Sequence, residues 1–548
     1  MTLSEKPAET NIALGEETVA DSTNNSTIVG YDEKGTLPTH QKQGEENNQV
    51  KRHLNGRHLA MISIGGTIGT GLFLASGNSV AVAGPAGALI AYGFMGMMVY
   101  FMMGSLGEMA TYMPISGSFN HYAGRFIDPA LGFAMGWNYF FSWSVTLASE
   151  LSAASLVIAF WTTSLHSVVW CAIFLGCLLV LNSTNVRFYG EAEYWLSLVK
   201  VVTCMVFIVV GILLDAGAIG GETIGDRYWK DPGPFNNGAL GTFNVLLVAG
   251  YSFQGTEIVG ITAGESRNPR KNVPRAIKTV FVRIFVFMIA SILLIGLIIP
   301  SNDPNLLQAG ANNDITIAPF TIVFQRAGWA VAAHIMNFIV LITVLTAGNC
   351  SLYAASRTLY AMADEGKAPS IFGRVTKWGV PMNALLFSTL LSCLCMLAAV
   401  FRSQDVFTWL VSLTSVTGFI SWLGIAASHY RFRLAYLAQG RRLEDLPYVA
   451  AFFPFGPLFA IFVCLVIIFG SGWENFKAPF NVVGFIAAYI GPFLMIVIYA
   501  VYKIVKRTKF VPIMEVDLDT DRYIPTKEDE EENAIPEPMW QKILAYIF

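Results

Sequence analysis

Residues 62–73 read ISIGGTIGTGLF and residues 250–257 read GYSFQGTE, each inside an otherwise apolar run. Glycine costs about 1 kcal/mol in a helix interior relative to alanine, so both stretches predict interrupted helices. An interruption frees backbone groups. The N–H groups of Thr67, Ile68, Gly69, Thr70 and Gly71, at the positive start of a half-helix, can cradle a carboxylate. The carbonyls of Ser252, Phe253 and Gln254 can accept hydrogen bonds from an ammonium group, and Gly255 keeps the backbone there open to approach. A carboxylate receptor opposite an ammonium receptor describes an α-amino acid. The alternative is that these glycines only allow close helix packing.

Ionisable residues within apolar runs are costly and usually functional. Lys200 lies about 10 residues into its run, some 15 Å deep at 1.5 Å per residue. It is the candidate residue linked to a driving ion, either carrying a coupling proton or standing where a sodium ion would sit; a structural ion pair is the alternative. Ser142, Thr146 and Glu150 recur at i, i+4 and i+8 and share one helix face. That polar stripe ends in a carboxylate suited to a cationic side chain, or to a partner on a neighbouring helix. Glu257 follows the second interruption, where it can hold a proton, meet a substrate cation or brace the broken helix. Phe253 is placed to cover a bound substrate. Glu108, Glu191 and Glu193 stand near helix ends, where interfacial or gating salt bridges are expected.

The elements that must position these residues follow from composition. The 548 residues are 54% hydrophobic and 13% charged, with mean hydropathy +0.52; soluble domains carry about twice that charge. Twelve apolar runs are long enough to span a bilayer, among them 58–80, 85–110, 131–160, 190–214 and 238–262. The expected fold is therefore an all-α polytopic membrane protein with twelve transmembrane helices. Its interrupted helices are the first and the sixth, five apart, as in a five-plus-five inverted repeat with a site at the paired breaks. Basic residues cluster before the first run and after the sixth, tenth and twelfth, which puts both termini in the cytoplasm. The organisation expected is a cytoplasmic tail over 1–56, a transporter domain over 57–504 and a second cytoplasmic tail over 505–548. Residues 1–50 and most of 512–536, with the acid run KEDEEE, are expected to be disordered. A net charge of -3 favours no nucleic-acid partner. The seven cysteines form no CxxC or Cys/His cluster, so neither disulfides nor a metal site is suggested, and no cofactor is expected. No nucleophile-base constellation suggests an enzyme.

The segments KRHLNGRHLAMISIGGTIGTGLFLASG, PISGSFNHYAGRFIDPALGFAMGWNYFFSW, YGEAEYWLSLVKV, YSFQGTEIVGITAGESRNPRKNVPRAI and AGNCSLYAASRTLYAMA resemble the fungal amino acid permeases of the amino acid-polyamine-organocation superfamily, over roughly residues 51–505. The resemblance implies proton-coupled amino acid import in the plasma membrane. It places the α-carboxylate on Thr67 to Gly71 and the α-amino group on the SFQGTE stretch. It sets Lys200 near the equivalent of a sodium site in sodium-coupled relatives, which favours proton coupling. FSWSVTLASELS, SFQGTEIVGITAGES and VLTAGNCSLYAASRTLYAMA are most similar to the permeases for arginine and lysine. Glu150 fits that substrate physically, because a cation in a low-dielectric pocket needs a counter-charge. Thr414 and Ser415 are side-chain pocket residues by family position. The alternatives are a broad or neutral amino acid permease and a sensor that does not transport. The partners implied are the amino acid, the proton, the lipid bilayer and, at Lys6, Lys34, Lys42 and Lys51 of the N-terminal tail, the ubiquitin machinery.

Overall fold

The first apolar stretch breaks where its glycines fall. In the computed structural model, which describes residues 56–115, 118–162, 164–184, 186–266, 268–303, 306, 318–328 and 330–527, α1 (Gly56–Thr67) stops and α2 (Thr70–Phe73) resumes beyond Ile68 and Gly69. α3 (Ala75–Tyr112) is two helices joined at a kink, where Gly84 has φ +76°. A Cβ at Gly84 would lie 2.7 Å from the Pro234 carbonyl oxygen and 2.8 Å from Asn236 N, so the backbone angle and the close approach both demand glycine. The expected spans 58–80 and 85–110 meet at this kink.

The chain continues through α4 (Ser118–Phe126), α5 (Pro129–Ile158), α6 (Ser167–Asn182), α7 (Val186–Asp215), the short α8 (Arg227–Lys230), α9 (Gly238–Phe253) and α10 (Ile258–Thr262). Then follow α11 (Pro269–Ile298), α12 (Pro319–Arg326), α13 (Ala330–Asp364), α14 (Met382–Ser392), α15 (Ser403–Ala438), α16 (Phe455–Gly470) and α17 (Val482–Lys506). The described residues form no strand. Nine helical stretches among them are long and apolar enough to cross a membrane, while α6 and α16 are shorter apolar helices. Each of these, and the broken first segment, overlaps one of the expected spans. Segments one and six, α1–α2 and α9–α10, are both broken, the arrangement of a five-plus-five inverted repeat.

Apolar packing decides which helix is central. α5 packs between α13 and α15, and 83% of its apolar window is buried, against 11% for α17. Its start is fixed by Asp128, whose Oδ1 accepts from Ala130 N at 2.9 Å ahead of Pro129. Asp128 also accepts from Thr508 at 2.8 Å and from Lys503. Burial raises its carboxyl, but these donors outweigh burial and hold it below the usual aspartate range.

Part of the C-terminal tail departs from the expected disorder. Residues 511–523 run as a strap across the end of the bundle formed by Tyr112, α4 and the last turns of α15. Val516 and Leu518 are buried, and Tyr112 OH donates to the Leu518 carbonyl at 3.1 Å. Gln439 Nε2 donates to the Val516 carbonyl at 2.8 Å, and Arg270 of α11 to that of Tyr523 at 3.3 Å. Arg125 pairs with Asp521 at 2.6 Å and Arg441 with Asp519 at 2.7 Å. The expectation failed because the acid run dominates the composition of 512–536, although the apolar anchors precede it. The tail lysines Lys6, Lys34, Lys42 and Lys51 lie outside the described residues.

Candidate functional site

The two breaks cross with backbone against backbone. Gly255, at φ +101°, is so close to the first break that a Cβ there would lie 2.8 Å from the Gly66 carbonyl and 2.9 Å from Thr67 N. Ser63 Oγ ties the crossing, 3.2 Å from the Gly255 carbonyl oxygen and 3.3 Å from that of Thr256. Beyond the crossing, a Cβ on Gly71 would lie 2.6 Å from Ser252 Cα. Thr67 to Gly71 and Ser252 to Gly255 thus face each other, as the inverted-repeat pattern anticipates.

α5 brings one member of its polar stripe to this crossing. Glu150 is buried, and its Oε1 accepts from Thr70 Oγ1 at 3.0 Å and from Tyr251 OH at 3.3 Å. The two hydroxyls are 2.8 Å apart, closing a triangle. Glu150 Oε2 is buried without a hydrogen-bond partner among the described residues. Leaving a buried carboxylate oxygen without a hydrogen bond costs about 1–3 kcal/mol or more, and the cationic side chain that acts on this carboxylate from within the protein is Lys200. The rest of the stripe is hydrogen-bonded along α5 and to α15. Thr146 donates to the Ser142 carbonyl at 2.8 Å, and Ser142 Oγ sits 3.0 Å from Thr417 Oγ1 of α15.

Gln254 joins the second break to α15. Its Nε2 donates to the carbonyls of Ser415 at 3.0 Å and Thr414 at 3.3 Å. Those residues therefore meet the site through their backbones. Ser415 Oγ donates to Val411 O at 2.7 Å, while Thr414 Oγ1 is buried and unpartnered among the described residues. The Phe253 ring lies against Tyr92 of α3, with centroids 6.4 Å apart, and the Phe253 carbonyl accepts from Thr256 Oγ1 at 3.1 Å.

Glu257 braces the break in the structure. It accepts from Gly255 N and from Trp422 Nε1, each at 3.1 Å, and from Tyr139 OH at 3.4 Å. Lys200 is fully buried and donates from Nζ to the Gly65 carbonyl at 2.5 Å. Because α7 begins at Val186, Lys200 is the fifteenth of its thirty residues, deeper than the apolar run alone places it.

Two of the glutamates expected at interfaces are buried. Glu108 accepts from Arg433 Nε at 2.6 Å and from Ala450 N at 2.6 Å, with His429 Nε2 3.3 Å away. Glu193 is fully buried and accepts from the Asn349 amide at 2.8 Å.

Comparison with known proteins follows the same lines. The family model for the amino acid permease matches residues 58–514. The chain belongs to the amino acid permease family.

The permease is 48% identical to the lysine-specific permease LysP of Escherichia coli (strain K12), over 85% of this chain and 96% of that protein. It is 39% identical to the lysine-specific permease of Saccharomyces cerevisiae, over 92% of this chain and 83% of that one. Its fold is similar to the crystal structure of the Eremococcus coleocola manganese transporter, with a TM-score of 0.53, 12% identity, and 84% and 98% of the two chains covered. That likeness bears on the fold alone. Tyr251, Tyr139, Trp422 and Ser63 of the permease escape reading from sequence. Aromatic residues in an apolar run look the same whether they face lipid or a carboxylate, and a lone serine carries no pattern. The one signal for Tyr251 is its position just before the broken SFQG stretch.

Proposed function

We propose that the permease imports basic amino acids, arginine and lysine, across the plasma membrane together with protons, with both termini in the cytoplasm. The observation that carries this reading is the buried carboxylate of Glu150 beside the first break, with one oxygen held by Thr70 and Tyr251 and the other unpaired. The substrate α-carboxylate takes the N–H groups of Gly69, Thr70 and Gly71. Its ammonium takes the carbonyl side of Ser252, Phe253 and Gln254. A Cβ on Gly69 would lie only 3.2 Å from Glu150 Oε1, so two carboxylates would share this space. Like charges that close repel strongly, and a positive charge must come between them. A basic substrate supplies one and a coupling proton the other, which is why both parts of the reading meet at Glu150.

The similarity to lysine permeases supports the same substrate class. Lys200 and Glu257 are the proton-linked groups, Lys200 by carrying the proton and Glu257 by holding the second break. Ser142, Thr146, Thr414 and Ser415 shape the side-chain pocket from α5 and α15. No chemical step on the substrate belongs to this reading, which is transport and not enzyme catalysis. A neutral or broad permease is the second reading, favoured if Glu150 holds a proton whenever substrate is bound.

Uptake of labelled lysine into permease-deficient yeast, at acidic and neutral external pH, tests the proposal. Concentrative uptake that is faster at acidic pH and blocked by arginine, but not by leucine, methionine or glutamate, is the expected result. Equal competition by leucine would replace the basic-substrate reading with the broad one. Absence of any uptake from surface-expressed protein would favour a sensor. The tail lysines Lys6, Lys34, Lys42 and Lys51 are the proposed ubiquitin acceptors. Their joint replacement by arginine is expected to keep the permease at the surface when its substrate is added, and ordinary endocytosis of that variant would end this part of the proposal.

A further inference from the structure

A further buried carboxylate lies beside the crossing, and the reading above leaves it unused. Glu193 on α7 is fully buried. Its Oε2 accepts from Asn349 Nδ2 of α13 at 2.8 Å, and Asn349 Oδ1 accepts in turn from Asn182 Nδ2, the last residue of α6, at 2.6 Å. Its Oε1 lies 3.4 Å from Ser197 Oγ. Those donors are neutral. A buried carboxylate whose hydrogen bonds come from neutral donors, with Lys200 as its charged neighbour, is expensive, and a packed membrane helix has little reason to carry one unless it is used.

Spacing connects it to Lys200. Glu193, Ser197 and Lys200 stand at i, i+4 and i+7, on the face of α7 that packs against α1. Gly65 sits between them. Its carbonyl takes the Lys200 ammonium at 2.5 Å, while a Cβ on it would run into Glu193 Oε1 and Ser197 Oγ. A carboxylate and an ammonium thus flank the same glycine, two residues before α1 ends. The other titratable groups around the pair are Cys204 on α7, Cys350 on α13 and Glu150 on α5. From α1, the segment Met61–Thr67 contributes no charged side chain. Arg283 on α11 has Tyr194 as its electrostatic neighbour.

We infer that Glu193 is the inward proton site of the transport cycle, receiving the coupling proton from Lys200 by way of the Ser197 hydroxyl. The Lys200 N–H bond breaks, the serine hydroxyl takes that proton and gives up its own, and an O–H bond forms at Glu193 Oε1. An ammonium and a carboxylate become an amine and a carboxylic acid, so the step removes two buried charges without creating any. The neutral amine is a weaker donor to the Gly65 carbonyl than the ammonium, which couples the step to the end of α1 at the first break. Glu193 lies about 10 Å along α7 from Val186 and Lys200 about 21 Å, at 1.5 Å per residue. With the start of α7 on the cytoplasmic side, the proton moves inward. Asn349, fixed by Asn182, is a positioning residue that orients the carboxylate. The inference rests on the proton-coupled reading proposed above.

Glu193→Gln keeps the shape and an acceptor for Asn349 but cannot take the proton. In proteoliposomes, lysine accumulation driven by an imposed proton gradient is expected to fall about tenfold or more, while lysine–lysine counterflow, which needs no net proton movement, falls no more than about twofold. Glu193→Asp is expected to restore part of the accumulation. Gradient-driven accumulation by Glu193→Gln equal to that of the unaltered protein would overturn the inference, and so would an equal loss of accumulation and counterflow, which marks a structural role. If Glu193→Gln does not fold, Ser197→Ala decides by the same split, with loss of accumulation alone supporting the relay and unchanged accumulation overturning it. The unaltered protein serves as the control on the underlying reading: accumulation without dependence on the proton gradient would sink the proton-coupled function itself, whatever the variants do.

Discussion

Lys200→Met is expected to abolish concentrative uptake while the protein still reaches the cell surface. Methionine is similar in length and apolar, so the packing of α7 on α1 is largely kept. What disappears is the ammonium and its 2.5 Å hydrogen bond to Gly65. The orphaned carbonyl costs about 1–3 kcal/mol, a loss that a folded multi-helix bundle can tolerate. Under the proposed function the transport cycle loses the group that carries its proton, and a fall of about a hundredfold or more in gradient-driven uptake is the scale expected for removing such a group. The check is labelled-substrate uptake with and without an imposed proton gradient, alongside surface labelling. Normal dependence on the proton gradient in the variant would remove Lys200 from the coupling role.

Gly255→Val is expected to be as damaging, for a different reason. Reading from sequence attributes the need for glycine to substrate approaching the backbone; in the structure the nearer neighbour is the other broken segment. A side chain at φ +101°, with its Cβ 2.8 Å from the Gly66 carbonyl, combines backbone strain with a clash against atoms that cannot rotate away. Together these amount to roughly 3 kcal/mol or more, enough to part the two breaks. Gly69→Val is a useful companion. Its Cβ would meet side chains instead, Ala347 Cβ at 2.9 Å and Glu150 Oε1 at 3.2 Å, so uptake should again be lost with a smaller loss of thermal stability in detergent. Ordinary uptake kinetics in both variants would argue that these segments are packed helices with no role in binding.

The breaks are legible in the sequence because their cause is local. Clustered glycines weaken a helix wherever it lies, and the repeat spacing of the two clusters adds a second, independent sign. Lys200 and Glu150 stand out because charge in an apolar run is rare. The partners of those charges are not legible, since Tyr251, Trp422 and Asn349 reach them only through tertiary packing. Glu193 reads as interfacial from sequence because it lies only a few residues past the start of the apolar run near 190, while its burial comes from packing against Gly65 of α1 and Asn349 of α13. The direction of the Phe253 ring, toward Tyr92, depends on how α9 is rotated against α3, and nothing in the residues around it sets that angle.

The strap of residues 511–523 touches the ends of α3, α4, α11 and α15 together. Its docking free energy therefore weights the ensemble toward arrangements that keep those ends close. The outer ion pairs, to the half-exposed Asp521 and the exposed Asp519, weaken as ionic strength rises, so the weighting is graded and responds to the solution around it. Reciprocity then applies: whatever arrangement spreads those ends makes the strap easier to release, and any molecule that captures the released strap favours the spread arrangement by the same free energy. A peptide segment at the rim thereby gives water-soluble molecules leverage over the distribution of states inside the bilayer, without their ever reaching the substrate.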